Sequence, residues 1–317
     1  MHCGSDCTSK ELKESLKTSR WLSIVDYCKE KFSNDLTFIF TGGEPLLYSG
    51  LLLLGRRIVE NGMRWSMVTN GMLLNHKMLN ELIKAGIYSI TISLDGLKQS
   101  HNKLRGSTIA YQKALSAIEI TGKSVIPVKD VVTCVYPDNY SELDSVAELL
   151  IERNIHYWRL FRIFPSGRAE KNKELLLSFS QTQGLLNWIK ENKKRLKKRG
   201  LIVNASCEGF LPFKEDIMVR DTPFFCRAGI NIASVLIDGN ITGCANNNPE
   251  FYEGNILNEP LSEVWEKGFK RFRDREWSKK GVCGNCEYFK DCLGNSIHLW
   301  YEGADNPAFC YVKDINR

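Results

Sequence analysis

The sequence predicts an α/β protein, with parallel βαβ units over residues 1–203 and a smaller cysteine-rich domain over residues 204–317. Three observations predict it. Apolar runs of strand type alternate with helical periodicity as far as Gly200, joined by short loops, which is the pattern of a parallel sheet with crossover helices. Each strand closes on a turn that carries a polar side chain. Seven of the eleven cysteines lie beyond the alternating part, at positions 207, 226, 244, 283, 286, 292 and 310, where apolar periodicity is sparse.

The elements follow in order. Met1 to Cys7 holds two cysteines, Cys3 and Cys7, before any regular pattern begins. Trp21, Leu22, Ile24, Val25 and Cys28 recur at helical spacing, so Glu11 to Phe32 is expected to form an amphipathic helix with Cys28 in its core face. Leu36 to Phe40 is a short apolar strand, ended sharply by Thr41-Gly42-Gly43-Glu44-Pro45. Helix Leu51 to Glu60, strand Arg64 to Val68 with Thr69-Asn70-Gly71, helix His76 to Ala85, and strand Ile87 to Leu94 with Asp95-Gly96 continue the alternation. Helix Ala110 to Thr121, strand Val125 to Val135, helix Ser141 to Arg153, and strand Ile155 to Phe164 with Pro165-Ser166-Gly167-Arg168 complete five strands. Beyond Gly200, Ile230 to Ile237 gives a strand signal before the turn Asp238-Gly239-Asn240, and Leu261 to Phe272 an amphipathic helix.

Ligands of parallel α/β folds sit at the carboxyl ends of the strands. Here those ends carry Glu44, Asn70, Ser93, Asp95, Asn139 and Arg168. Any one of them reads as a loop residue or helix cap; their recurrence at every strand end points to a binding rim.

Composition narrows the function classes. With 317 residues, 43% hydrophobic and 25% charged, the chain is ordinary for a soluble protein of two domains. Much of the net charge of +6 sits in the run Lys190 to Arg199, which ends at Gly200 and reads as a solvated helix face, so no nucleic-acid partner is expected. Leu51 to Leu54 is too short to cross a bilayer, so no membrane partner is expected either. The five histidines stand in no nucleophile-elbow context, and the phosphate-loop signature is absent.

The tail carries the sharpest chemistry. A C-x2-C pair, Cys283 and Cys286, turns two thiolates toward one centre; Cys292 and the distant Cys310 supply a third and a fourth. No signal peptide or long apolar segment precedes them and the cysteine number is odd, which favours a reducing cytoplasm and a metal site over disulfides. Spacing alone leaves zinc and iron–sulfur both open.

Taken together, these residues resemble radical S-adenosylmethionine (SAM) enzymes with a SPASM-type C-terminal domain, of the kind that matures peptides or proteins. Gly42-Gly43-Glu44-Pro45 resembles the segment that binds the methionine amino group of SAM. Ser93-Leu94-Asp95-Gly96, with His101 and Arg105-Gly106, resembles the segment whose polar side chains hold SAM. Cys226-x12-Gly239-x4-Cys244, then Cys283-x2-Cys286-x5-Cys292, then Cys310, follows the SPASM spacing. The resemblance implies a partial (β/α)6 TIM-like barrel as the radical SAM core over 1–203, and a SPASM domain over 204–317. It implies a [4Fe–4S] cluster with one iron open to SAM, at least one auxiliary [4Fe–4S] cluster, and reductive cleavage of SAM to a 5′-deoxyadenosyl radical that takes hydrogen from the substrate. An external one-electron reductant of flavodoxin or ferredoxin type would feed the reaction. Within it Glu44 would accept from the SAM ammonium, Ser93 and Arg105 would hold ribose or carboxylate, Asn70 and Asp95 would complete the rim, and Ile163 would lie against adenine.

Three departures accompany the resemblance. The family holds its radical cluster with C-x3-C-x2-C; Met1-His2-Cys3 fits only the last three positions, with Cys3 as third ligand. The first strand and two ligands are therefore expected to be missing through truncation or a late start, and this polypeptide alone to be inactive in SAM cleavage. Ser296 stands where SPASM domains have a further cysteine, so one auxiliary site keeps Cys226 and Cys244, with Cys207 as a speculative third. Ala245 replaces the acid that follows the equivalent of Cys244 in sulfatase-maturating members, which favours a peptide-modifying role. Two other readings compete: a degenerate peptide-binding partner that keeps the fold, and a zinc-stabilised regulatory protein.

Overall fold

The computed structural model describes residues 2–4, 15–33, 35–206 and 209–315, and divides into two compact units. Cys7 and Cys207, and residues 11–14 of the expected first helix, lie outside the described residues. The first unit comprises residues 17–163 and 180–205; the second comprises 2–16, 164–179 and 206–317.

In the first unit, six strands form one all-parallel sheet in chain order: β1 (Thr37–Phe40), β2 (Arg64–Thr69), β3 (Ser89–Ser93), β4 (Val128–Val135), β5 (Tyr157–Arg162) and β6 (Ile202–Ala205). Helices α1 (Thr18–Lys31), α2 (Leu51–Glu60), α3 (His76–Lys84), α4 (Lys98–Arg105), α5 (Ala110–Gly122), α6 (Leu143–Glu152) and α7 (Phe179–Lys198) accompany them. This is the open six-stranded (β/α) barrel that the resemblance implied. Period-two alternation divides the strands. Trp65, Met67, Ile90, Ile92, Val131, Trp158 and Leu160, all 1% exposed or less, form the apolar face. Ser66, Thr91, Ser93, Asp130 and Arg159 occupy the other, where Thr91 Oγ1 and Arg159 Nε donate to Asp130 Oδ2 at 2.7 and 2.9 Å.

β1 begins one residue and β4 three residues later than the apolar runs suggested, and β3 and β5 begin two residues later for a reason that recurs four times. α2, α3, α6 and α7 each end on a left-handed residue, Gly62, Gly86, Asn154 and Gly200. The following apolar residue donates its N–H five positions back, Met63 to Ile58, Ile87 to Leu82, Ile155 to Leu150 and Leu201 to Leu196. This is the Schellman closure with its hydrophobic contact. Ile87 and Ile155 thus belong to helix exits, not to strands. The first helix starts at Thr18 because Lys17 is extended. In the first unit two elements lacked a sequence expectation, β6 and α4, whose last turn carries Arg105; in the second unit α8 (Phe213–Val219) is likewise new.

The second unit contains a three-stranded antiparallel sheet, β7 (Ser234–Val235), β8 (Asn240–Thr242) and β9 (Tyr252–Asn255). The strand expected over Ile230 to Ile237 shortens to two residues. The helix expected over Leu261 to Phe272 breaks into α9 (Leu261–Lys267) and α10 (Lys270–Arg273), because Phe269 turns left-handed (φ 58°) and buries its ring against Trp265 and Phe272. An aromatic cluster of Phe251, Phe269, Phe272, Trp277 and Trp300 supplies a core that the sparse periodicity had concealed.

Candidate functional site

The rim of the first unit is built where strands end. After β1, Gly42 adopts φ +113°, a conformation that side chains rarely take, and a Cβ on Gly42 or Gly43 would meet nothing within 4 Å. The backbone there faces open space. Glu44 does not: Oε1 accepts from Leu46 N–H (3.1 Å) and Thr69 Oγ1 (2.8 Å), and Oε2 accepts from Asn70 N–H (2.8 Å). The carboxylate ties the Gly42–Pro45 loop to the end of β2 and leaves the loop backbone turned outward. Asn70 in turn accepts from Met72 N–H through Oδ1 at 2.8 Å.

After β3, Asp95 is fully buried. Its Oδ2 receives Arg105 Nε at 2.6 Å, its Oδ1 receives Cys134 N–H at 2.9 Å, and its carbonyl receives Asn139 Nδ2 at 3.0 Å. Its own N–H donates to His101 Nδ1 at 2.9 Å. Burial, more than any charge, pushes the His101 pKa down to about 4, so the ring is neutral and serves as an acceptor. Glu142 Oε2 accepts from Leu97 N–H at 2.7 Å and from Ser100 Oγ, closing the loop after β3. Asp95 therefore aims Arg105 instead of facing a ligand itself, while Arg105 keeps 23% of its side chain exposed. Ser93 (8% exposed) stands at the end of β3, and Ile163 (6%) follows β5. Of the supporting residues, the sequence places Asn139 on the rim and, by resemblance, His101 in the SAM-holding segment, whereas it leaves Thr69 and Glu142 without a role.

In the second unit, Cys3 accepts Arg168 N–H on its carbonyl at 3.1 Å. None of the nine described cysteines is disulfide-bonded. Cys283, Cys286, Cys292 and Cys310 are close enough to feel one another's charge. Burial first, then the neighbouring sulfurs, push Cys283 up to about 11 and Cys292 up to about 12. Cys292 ends the short helix α11 (Phe289–Cys292), and the chain then turns through three left-handed residues, Leu293, Gly294 and Asn295. Asn295 clamps that turn: Oδ1 accepts from Phe210 and Ser296 N–H, and Nδ2 donates to the Phe309 carbonyl at 3.0 Å, which brings Cys310 beside Cys292. Cys244 is raised by burial first and then by Cys226, so these two form a separate pair. Ser296 is buried (2%).

Four soft sulfur donors gathered in apolar surroundings fit a bound cationic centre, because a cation removes the penalty that burial places on thiolates. The open backbone at Gly42–Gly43 beside an aimed arginine fits a polar nucleotide. The two units thus define a parallel α/β protein with a thiolate-bound metal module.

Comparisons with known proteins give this class its family. Residues 2–150 match the radical SAM superfamily and residues 226–287 match the SPASM iron-sulfur cluster-binding domain. The chain thus carries a radical SAM domain followed by a SPASM domain. These two domains imply [4Fe–4S] clusters and SAM binding. The chain is 27% identical to the AdoMet-dependent heme synthase of Methanosarcina barkeri, over 93% of this chain and 86% of that one. It is 22% identical to the PqqA peptide cyclase of Rhizobium meliloti, over 92% and 77%. Its fold is similar to that of Streptococcus suis SuiB bound to the precursor peptide SuiA, with TM-score 0.74 and 17% identity over 98% of this chain and 72% of that one.

Proposed function

We propose that the protein is a radical SAM enzyme that abstracts hydrogen from a peptide or protein substrate. When bound, the reduced [4Fe–4S] cluster supplies one electron that breaks a carbon–sulfur bond of SAM and yields the 5′-deoxyadenosyl radical. The chain's own residues bind and orient. The outward backbone of Gly42–Gly43 receives the SAM ammonium, with Glu44 holding the loop and Pro45 starting the 3-10 turn behind it. Arg105, aimed by Asp95, takes a carboxylate or ribose oxygen; Ser93 and Asn70 supply neighbouring polar groups, and Ile163 an apolar surface for adenine. Cys3 is proposed as a ligand of the radical cluster; Cys283, Cys286, Cys292 and Cys310 of an auxiliary cluster; Cys226 and Cys244 of a second site. An external one-electron donor of flavodoxin or ferredoxin type feeds the clusters in a cytoplasmic setting.

The observation that carries this reading is the Glu44 clamp, which spends a conserving carboxylate on presenting empty backbone. The fold likeness to a peptide-bound maturase and the sequence likeness to a peptide cyclase support a peptide substrate. A porphyrin substrate is the second reading, favoured by the likeness to heme synthases and to an Fe-coproporphyrin III synthase, the latter 25% identical over 98% of this chain.

Anaerobic reconstitution followed by calorimetric titration with SAM tests the proposal. A brown protein that binds SAM, with affinity lowered about tenfold or more in Arg105→Ala, is expected, since a charge-assisted contact contributes about 1.5–3 kcal/mol. A colourless protein, or one indifferent to SAM, ends the proposal. A shifted Soret band on adding Fe-coproporphyrin III selects the second substrate.

A further inference from the structure

The second unit buries a cation near its cysteines. Arg275 is only 5% exposed. Its Nη2 donates to the Asn295 carbonyl at 2.7 Å, in the turn that follows Cys292, and the Asn295 side chain also holds the Phe309 carbonyl before Cys310. Cys226 and Cys292 lie near enough for their charges to act on the guanidinium. Nε is buried with no protein partner, and no carboxylate among the described residues pairs with this side chain. Trp277 lies beside it, 5.7 Å from guanidinium carbon to ring centroid.

A guanidinium does not give up its proton in a protein, so it cannot escape burial by becoming neutral. A buried cation without a counter-ion is strongly disfavoured. Elsewhere in the second unit the buried guanidinium of Arg220 pairs with the Asp216 carboxylate. Arg275 instead has the Asn295 carbonyl, with the charges of Cys226 and of Cys292 in the four-cysteine site acting on it. The geometry points to Arg275 as the built-in counter-charge of the auxiliary cluster at Cys283, Cys286, Cys292 and Cys310, positioned to favour that cluster's reduced state.

The inference rests on the proposed assignment of those four cysteines. Four thiolates around an oxidised [4Fe–4S]2+ core leave two net negative charges; one electron from an external donor makes three. A fixed cation beside the site stabilises three charges more than two, and so raises the reduction potential.

The test is a potentiometric titration of the reconstituted 317-residue protein with dithionite as electron donor, followed by electron paramagnetic resonance. The signal is assigned by its loss in Cys292→Ser. Arg275→Gln keeps hydrogen-bond donors and removes the charge; Arg275→Lys keeps the charge. At the wild-type midpoint, Arg275→Gln is expected to hold at least tenfold less reduced cluster relative to oxidised, a displacement of 59 mV for one electron. Arg275→Lys is expected to stay within threefold of wild type. If Arg275→Gln fails to retain iron while Arg275→Lys retains it, the counter-charge role also stands. Equal midpoints in all three proteins, a lysine variant displaced as far as the glutamine one, or iron loss in both variants overturns it in favour of packing alone. A wild-type protein that takes up no iron and sulfide removes the underlying assignment, and shows this before any titration begins.

Discussion

The strand-end rim and the cysteine site organise polar groups by opposite means. At the rim, each strand-end acid has its donors within the polypeptide: Glu44 holds two backbone N–H groups and a hydroxyl, and Asp95 holds an arginine and a backbone N–H. That region is self-sufficient, and its geometry is set before any ligand arrives. At the cysteine site, burial first and neighbouring sulfurs next raise the proton affinity of Cys283 and Cys292, and the guanidinium of Arg275 nearby has no carboxylate partner among the described residues. That region is completed by what it binds. Preorganisation at one place and dependence at the other predict different responses to the same insults.

The largest difference is expected on removing metal. Iron chelation, or Cys292→Ser, removes binding free energy that serves as folding free energy, on the order of 10 kcal/mol in small metal-bound domains. Hydrogen exchange over residues 226–315 is expected to accelerate while the sheet strands from β1 to β6 stay protected. Uniform protection, or uniform loss, would erase the contrast.

Next comes the rim's own ion pair. Asp95→Asn leaves Arg105 facing a neutral amide, at a cost of about 3 kcal/mol, the low end for a buried pair because Arg105 is partly exposed. Urea unfolding would show it as a lowered midpoint; an unchanged midpoint would mean that the pair contributes nothing.

Acid should weaken the rim by a comparable or smaller amount. His101 has a folded pKa of about 4 against an ordinary 6.5, so between those values the unfolded chain carries a proton that the folded chain refuses. Stability is therefore full above pH 6.5 and falls as the pH drops toward 4, by up to about 3 kcal/mol at 1.36 kcal/mol per pKa unit. Urea midpoints at pH 7, 5.5 and 4 measure the slope, which His101→Phe should reduce by its own share, leaving that of His298, whose pKa is also lowered to about 4.

The smallest effect separates the two buried histidines. His298 also has its pKa lowered to about 4 by burial, yet its Nε2 has no protein partner and its ring lies 4.5 Å from that of Phe164. His298→Phe keeps the stacking and discards the unsatisfied nitrogen, so the midpoint at pH 7 should move by less than about 0.5 kcal/mol or rise. His101→Phe at the same pH should destabilise, since the Asp95 N–H loses its acceptor. Equal losses in both variants would remove this distinction.

Much of the fold was legible because helices and strands announce themselves by period. Five strands of the sheet lay within or close to the apolar runs. β6 was missed although Gly200-Leu201 repeats the helix exit that Gly62-Met63 and Gly86-Ile87 show before β2 and β3; at four residues, Ile202 to Ala205 carries too little pattern by itself. The aromatic core of the second unit was illegible for another reason. Phe251, Phe269, Phe272 and Trp277 come together through turns, and turns leave no period. Among candidate site residues, the thiol spacing and the Gly-Gly-Glu-Pro turn pointed to segments but not to the direction of each side chain.

Sequence by itself determined the alternation of elements, the residue types at the strand ends and the cysteine spacing, because each is a property of neighbours along the chain. Tertiary structure alone decided that Glu44 and Asp95 turn inward, that His101 is neutral, and that Arg275 lies near sulfurs. Those outcomes depend on desolvation and on donors that arrive from far along the chain, as Asn70 N–H reaches Glu44 from 26 positions away and Cys134 N–H reaches Asp95 from 39. Separation of that kind is fixed only when the chain closes on itself.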